Sequence, residues 1–277
     1  MKNISFGQYY PAESIIHKAD PRTKVVLAIL YIVSSFVCQS ILGFLLLIAT
    51  TLAIVIISKI PFKTILRSIK PVIIIMIFMA VLNLFLVKGG VAFSIWKIQI
   101  YSKGIYTAVT SVFRIIALII GTGIFLTYTT TPIELTDGIE RLFGFLKKIK
   151  VPVHEFAMMM TIALRFIPTL MEETDKIIAA QKARGADFTN GSIVKRAKAL
   201  IPILVPLFIS AFRRADELAV AMECRCYRGG EGRTKLHVLK YQPKDFVLMF
   251  LFVAFLVGLI LINSFGIELP FIESSWF

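Results

Sequence analysis

The 277-residue sequence is poor in charged residues, in histidine and in cysteine. Only 17% of its residues are Asp, Glu, Lys or Arg, whereas 57% are hydrophobic and the mean hydropathy is +0.80. A water-soluble domain of this length needs far more polar surface around its core, so much of the apolar surface must face lipid. The sequence therefore predicts an integral membrane protein, with the lipid bilayer as a partner.

Several functional motifs are also missing. No Gly-x-x-x-x-Gly-Lys-Ser/Thr sequence occurs, which excludes ATP binding through a P-loop of the chain's own. His154 begins a "HEFAM" stretch, but Met158 stands where a zinc-protease helix needs its second histidine. Cys224 and Cys226 lack a third metal ligand nearby, and an odd number of cysteines, three, argues against a disulfide framework. We expect no metal site, no catalytic residue and a reducing compartment.

Long apolar segments predict five membrane spans, because about 20 apolar residues in a helix cross the hydrocarbon layer. The 34-residue run from Val25 to Ser58 is too long for one span, so we expect two, joined by a hairpin near Gln39 to Gly43. The other spans are predicted at Pro71 to Val87, at about Ile105 to Tyr128 and at about Phe246 to Phe265. Arg114 is the only ionisable residue deep in a predicted span, and we expect a structural role for it.

The positions of Lys and Arg predict the orientation. The polar N-terminus shows no signal peptide, so Met1 is expected to begin the mature protein, on the cytoplasmic side. With that orientation, cytoplasmic segments hold all but four of the 31 basic residues, and the C-terminus lies outside. The net charge of +14 thus follows the topology and requires no nucleic-acid partner.

The segment between the fourth and fifth spans is too long for a loop and too apolar for disorder. We predict three regions: residues 1–128 with four spans, a cytoplasmic region at 129–244, and residues 245–277 with the last span and an outer tail. The fold class is all-α, with about five transmembrane helices plus a cytoplasmic module of three helices, two of them long and crossing. A seven-span arrangement, in which the two long helices also enter the membrane, stays open.

Three helices are predicted in the cytoplasmic region. The first starts at Thr131, with Pro132 at its first position and Glu134 placed for a capping box. The second runs from about His154 to Ala183 with a kink at Pro168, and prolines at 202 and 206 are expected to mark the start of the third. Both long helices carry an apolar stripe, which comprises Phe156, Met160, Ala163, Ile167 and Leu170 on one and Leu204, Phe208, Ala211, Ala215 and Leu218 on the other.

Both long helices end in an arginine between two small residues. The sequences are Ala183-Arg184-Gly185 and Cys224-Arg225-Cys226. One such arginine could simply favour the negative end of the helix dipole. Two copies on consecutive helices favour a second interpretation, in which each exposed guanidinium docks to a carboxylate or a helix cap of another protein.

Three stretches together resemble the transmembrane T component of energy-coupling factor (ECF) transporters, which import vitamins and metal ions into bacteria and archaea. They are "HKADPRTKVV" from His17, "LRFIPTLMEETDKIIAAQKARGADF" from Leu164 and "RRADELAVAMECRCYRGG" from Arg213. The resemblance covers essentially the whole chain, although Cys-Arg-Cys replaces the family's commonest Ala-Arg-Gly at the second site.

The resemblance implies a non-catalytic coupling subunit in a prokaryotic plasma membrane. Its implied partners are two ABC-type ATPases, which carry ATP and Mg²⁺, and a membrane S component that binds the vitamin or other micronutrient; this chain itself binds no cofactor. Arg184 and Arg225 would dock to the ATPases, with the small residues Ala183, Gly185, Cys224 and Cys226 permitting close approach. The apolar stripes and Pro168 would form the platform for the S component.

Two other functions stay open on residue evidence. A conventional ABC importer permease also docks ATPases, but it normally presents one coupling helix per subunit and carries its own substrate path. A membrane-embedded lipid enzyme could use Arg114 or His154, yet the sequence offers no convergent set of carboxylates, histidines or a serine nucleophile.

Overall fold

The computed structural model of the chain describes residues 9–38, 40–87, 91–95, 98–186, 188, 192–229 and 239–265. Within these residues the predicted all-α fold class is confirmed, with one short antiparallel hairpin of strands in addition. The α-helices are α1 (Pro21–Val37), α2 (Ile41–Ser58), α3 (Phe62–Ile69), α4 (Ile73–Leu86), α5 (Ser102–Thr122), α6 (Pro132–Leu142), α7 (Val153–Ala183), α8 (Ile193–Cys224) and α9 (Pro243–Ser264). Short 3₁₀ segments at Lys70–Val72 and Phe143–Ile149 and a π-helical segment at Gly123–Tyr128 extend α3, α6 and α5, and the hairpin pairs β1 (Val91–Ile95) with β2 (Ile98–Tyr101).

Four of the predicted spans overlap helical segments that are long and apolar enough to cross a membrane, and the second of these segments starts nine residues before the predicted span. They are Ile41–Ser58, Phe62–Leu86, Ser102–Tyr128 and Pro243–Ser264. The remaining predicted span is α1, whose 17 residues lie at the short end of the range for a transmembrane helix. The apolar composition predicts these segments well, because crossing a bilayer depends on length and hydropathy alone.

The long apolar run divides into α1 and α2 at the predicted place. The Ser40 hydroxyl accepts a hydrogen bond from the Gly43 amide at 3.1 Å and so caps the start of α2. Gln39, part of the predicted hairpin, lies outside the described residues. The Arg114 guanidinium donates to the Cys38 carbonyl at 2.8 Å, which ties α5 to the end of α1. This contact supports the expected structural role of Arg114.

The described chain divides into two compact units, one of residues 9–138 and 239–265 and the other of residues 139–229. The predicted region boundaries at 128 and 244 stay predictions. In the first unit Tyr31 is fully buried, and its hydroxyl bonds to the Thr51 hydroxyl at 2.6 Å and donates to the Ala117 carbonyl at 3.2 Å. A Cβ at Gly121 would collide with the Tyr31 ring, so a glycine lets α5 approach α1 this closely.

A buried carboxylate joins the starts of α1 and α9 in the same unit. Asp245, 1% exposed, accepts hydrogen bonds from the Gln242 amide at 2.7 Å and from the Asp20 amide at 2.9 Å. Asp20 itself caps α1 by accepting from the Arg22 amide at 2.9 Å. These bonds satisfy amide donors at the ends of two helices, and they hold residues 225 positions apart in sequence together.

The start of α6 confirms the predicted capping box. The Thr131 amide donates to the Glu134 carboxylate at 3.1 Å, and the Glu134 amide donates to the Thr131 hydroxyl at 3.3 Å. Pro132 is the first helical residue, as predicted.

The second unit contains the two longest helices, α7 with 31 residues and α8 with 32, which pack against each other. Helix α7 continues through Pro168. The predicted start of the third helix was wrong, because Ser192 caps α8 by accepting from the Lys195 amide at 3.4 Å and both prolines lie inside the helix. An interior proline removes only its own hydrogen bond, so neighbouring turns can keep a long helix continuous around it.

Candidate functional site

Helix α7 ends in a hydrogen-bonded turn that presents Arg184. The Ala186 amide donates to the Gln181 carbonyl at 3.0 Å, and the Gly185 amide donates to the Lys182 carbonyl at 3.0 Å. This pair of bonds is the Schellman motif, which places Arg184 at the C-cap and requires a left-handed residue directly after it. Gly185 adopts φ +86°, a conformation that glycine accepts without steric cost.

Helix α8 ends in the same motif around Arg225. The Tyr227 amide donates to the Met222 carbonyl at 3.0 Å, and the Cys226 amide donates to the Glu223 carbonyl at 2.8 Å. Cys226 therefore takes the position that Gly185 has on α7, and it adopts φ +58° although it carries a Cβ. The Schellman motif therefore forms with Cys-Arg-Cys in place of Ala-Arg-Gly, although Cys226 must then adopt a left-handed backbone conformation.

The two arginines thus share one backbone environment. Arg184 has φ −85° and ψ 6°, and Arg225 has φ −90° and ψ 14°. Both residues are exposed, as are the flanking residues Ala183, Gly185, Cys224 and Cys226. Among the residues that the structure describes, neither guanidinium has a hydrogen-bond or ion-pair partner. Each helix end can therefore offer a planar set of N–H donors to an external carboxylate.

A polar contact joins α7 to α8 well before the two arginines. The Glu173 carboxylate accepts a hydrogen bond from the Ser210 hydroxyl at 2.5 Å and another from the Arg214 guanidinium at 3.1 Å. Both side chains of the ion pair are about a third exposed or less. The hydrogen bond from Ser210, together with the charge of Arg214, lowers the pKa of Glu173. We call these three residues the interhelical clamp.

The clamp was not predicted from the sequence. Ser210 and Arg214 are four residues apart, so their side chains lie on the same face of α8. Nothing in the local pattern shows that this face meets Glu173, since the stretch "MEETDK" offers three acidic residues with similar surroundings in sequence.

The predicted stripe residues are largely exposed in the second unit. The exposed fractions are 55% for Phe156, 53% for Met160, 53% for Leu204 and 64% for Phe208. Ala163, Pro168 and Ala215 are also exposed, and Ile167, Leu170, Ala211 and Leu218 are half-buried. Exposed large apolar side chains also occur on α2, α4 and α9, and such surfaces are typical of contact with lipid or with another protein.

His154, considered above as a candidate for enzyme chemistry, contacts a carboxylate. Its Nδ1 lies 3.0 Å from the Glu140 carboxylate, and both side chains are mostly buried. Within the described ranges, no three His, Cys, Asp or Glu side chains are grouped so that they could hold a metal ion.

Comparisons with known proteins agree with the resemblance seen in the sequence. The model of the family CbiQ, described as cobalt transport protein, matches residues 12–237. A relative from Ruminiclostridium cellulolyticum, named energy-coupling factor transporter transmembrane protein EcfT, is 52% identical over 263 residues, which cover 95% of this chain and 98% of the relative. Proteins of the same name from Lactococcus lactis (48% identical, covering 94% and 98%) and Bacillus subtilis (47% identical, covering 88% and 92%) are also similar.

Proposed function

The chain belongs to the CbiQ/EcfT family of transporter transmembrane proteins, and we propose that it transmits the ATP-driven motion of two cytoplasmic ATPases to a substrate-binding S component. It is a membrane protein and a transport subunit without an enzymatic role of its own. The observation that carries the proposal is the pair of matched helix ends, each of which exposes one arginine at the C-cap of a Schellman motif.

Each arginine would dock in a groove of one ATPase. An arginine can form two parallel hydrogen bonds with a carboxylate, and such a charge-assisted pair is stronger and more directional than a neutral hydrogen bond. The four small flanking residues leave the guanidinium unobstructed and allow a groove wall to approach the backbone. Two equivalent helix ends fit two copies of one type of groove, or two closely related grooves.

The proposed coupling requires that α7 and α8 each move as a rigid body. Helix α7 is about 46 Å long and α8 about 48 Å, as 31 and 32 residues dictate. The interhelical clamp fixes where they are joined, so a change in the separation of the ATPases would alter the angle between the helices and not their lengths. The apolar stripes and Pro168 would carry this change to the S component, as a platform of exposed apolar side chains.

ATP and Mg²⁺ would be held by the partner ATPases, and the S component would determine which vitamin or other micronutrient is carried. In this arrangement the N-terminus is cytoplasmic and the C-terminus is outside, in the plasma membrane of a prokaryote. The distribution of Lys and Arg supports that orientation, because cytoplasmic loops carry an excess of basic residues.

A charge-reversal experiment tests the proposal. The R184E/R225E variant is compared with wild type in cells that express the ATPases and an S component, by co-purification and by uptake of the vitamin. Loss of one buried charge-assisted contact costs on the order of 2 to 5 kcal/mol, so we expect both ATPases to be lost from the variant and uptake to fall to background. R213E provides a matched control, because Arg213 is an exposed arginine on α8 away from the helix end. Normal uptake by the double variant would refute the proposal.

A further inference from the structure

A row of exposed cations lies on the short helix α3 and its flanks. Lys63 and Arg67 are on α3, Lys59 precedes the helix, and Lys70 follows it. All four are exposed, and none forms an ion pair with another described residue. We call these four residues the α3 basic face.

No acidic residue near in sequence balances the charge of this face. The sequence contains no Asp or Glu between Asp20 and Glu134, a stretch that includes α2, α3, α4 and α5. Four cations close together repel one another in the absence of a counterion. Their arrangement therefore favours an anionic ligand from outside the chain.

Helix α3 carries three kinds of side chain: basic and exposed, apolar and buried, and apolar and exposed. Residues 63, 67 and 70 follow a four-three spacing and share one face. Ile65 is only 1% exposed and belongs to the core of the first unit. Phe62 and Leu66, by contrast, are 64% and 49% exposed and point away from that core. A helix that combines exposed large apolar side chains with a basic face is typical of the boundary between lipid headgroups and acyl chains.

The position of α3 in the chain agrees with such a location. It follows α2 directly and forms the first turns of the segment Phe62–Leu86, and both α2 and that segment are apolar enough to cross a membrane. Successive spans are joined at the membrane surface, so Lys59 and Lys63, between the end of α2 and the first turn of that segment, lie at the level of the lipid headgroups. The long side chains of Arg67 and Lys70 can extend to the same level.

We propose that the α3 basic face binds the phosphate groups of anionic phospholipids, while Phe62 and Leu66 lie among the acyl chains. Arg67 can form two hydrogen bonds with a phosphate, and the lysines add charge attraction. A bound anionic lipid would fix the depth of α3 and α4 in the bilayer. The proposal does not depend on any partner protein, so it stands or fails separately from the coupling function.

The test uses the purified full-length chain in detergent with an equimolar mixture of phosphatidylglycerol and phosphatidylcholine that carry the same acyl chains. Native mass spectrometry measures the ratio in which the two lipids are retained. Each basic residue near an anionic surface contributes about a five-fold preference, equivalent to about 1 kcal/mol. We expect wild type to retain phosphatidylglycerol preferentially, and the K63Q/R67Q variant to lower the ratio by up to about thirty-fold.

Two matched variants make the result specific. K240Q/K244Q also removes two exposed cations, at the start of a membrane-crossing helix whose first turn contains the carboxylate of Asp245. Because that carboxylate repels an anionic headgroup, we expect a smaller change of the ratio than in K63Q/R67Q. K63R/K70R keeps the charge, so it should retain the preference of wild type. Equal loss in K240Q/K244Q and K63Q/R67Q would show a general charge effect and overturn the proposal. An unchanged lipid ratio in K63Q/R67Q with weaker co-purification of the ATPases would instead show a protein-docking face, and would overturn it as well.

Discussion

The Glu173 carboxylate on α7 accepts a hydrogen bond from the Arg214 guanidinium on α8 at 3.1 Å, and each of the two residues lies eleven positions before an exposed arginine, Arg184 or Arg225. Eleven helical residues span about 16 Å. The segments from Glu173 to Arg184 and from Arg214 to Arg225 therefore have equal length, and both lead from the ion pair to one of the two matched helix ends. Segments of equal length transmit equal displacements, as the proposed docking to two ATPases requires.

Breaking the interhelical clamp is expected to affect transport more than stability. Partly exposed ion pairs contribute little to stability because solvent screens them, so E173Q should lower the unfolding temperature only slightly. We expect the number of substrate molecules imported per ATP hydrolysed to fall, because the angle between α7 and α8 is no longer fixed by this contact. Uptake and ATP hydrolysis by the reconstituted transporter measure this. E172Q removes an exposed neighbouring carboxylate and serves as the control; the exchange E173R/R214E should restore coupling. Unchanged coupling in E173Q would contradict the prediction.

The clamp also predicts a pH dependence with a defined sign. The pKa of Glu173 is lowered by the hydrogen bond from Ser210 and by Arg214, so the folded protein holds the charged carboxylate more strongly than the unfolded chain does. The stabilisation is complete above the pKa of an unfolded glutamate, about 4.3, and is lost as the pH falls through the lower pKa of the folded state. The stability difference between wild type and E173Q should therefore be constant from pH 6 to 8 and should narrow in acid. Thermal unfolding in detergent at several pH values checks this, and a constant difference down to pH 3 would contradict it.

Cys226 is expected to limit the stability of the second helix end. A residue with a Cβ at φ +58° costs about 1 to 2 kcal/mol relative to glycine, so C226G should raise the stability of the chain by about 1 kcal/mol and should keep ATPase docking. C224G places glycine inside the last turn of α8 and should instead cost about 0.5 to 1 kcal/mol. The two variants, compared by thermal unfolding, should thus shift the midpoint in opposite directions. A shift of the unfolding midpoint in the same direction in both variants would refute the structural equivalence of Cys226 and Gly185.

Gly121 is expected to tolerate no side chain. A methyl group there would collide with the Tyr31 ring, which is fully buried. Overpacking of this kind costs about 1 to 3 kcal/mol, so G121A should lower the unfolding midpoint and the yield of folded protein. Gly258, in helix α9, has open space around its Cβ position, and G258A should be neutral or stabilising by up to about 1 kcal/mol. Equal midpoints for G121A and wild type would contradict the close approach of α5 to α1.

Asp245 is expected to be needed for the assembly of the first unit. The variant D245A leaves the Asp20 and Gln242 amides without their acceptor, and the loss at the buried Asp20 amide alone costs about 1 to 3 kcal/mol. Because the Asp20 amide is at the start of α1, both helices should lose protection from hydrogen exchange. K244A, next to it and exposed, provides the control. Loss of protection at the start of α9 alone would contradict the proposed connection.

Much of the fold follows from local properties of the chain. Span positions depend on the length and hydropathy of continuous segments, so the second, fourth and fifth spans were located to within a few residues. The third was predicted from Pro71, whereas the membrane-crossing segment starts at Phe62. The capping box at Thr131 and the ends of α7 and α8 follow from residue types at fixed spacings. The start of α8 could not be predicted in the same way. Pro202 and Pro206 are compatible with a helix start and also with a helix interior, because the surrounding turns can keep the helix continuous around a proline.

The amino-acid sequence by itself determined that the chain is an all-α membrane protein of this family, and that two long helices end in exposed arginines. Only the tertiary structure decided which side chains face one another: Glu173 with Ser210 and Arg214, Gly121 with Tyr31, and Asp245 with Asp20. The physical reason is that hydropathy, helix period and capping act within a few residues along the chain. Contacts between helices depend on how each helix is rotated about its axis, and many rotations satisfy the same apolar pattern in lipid.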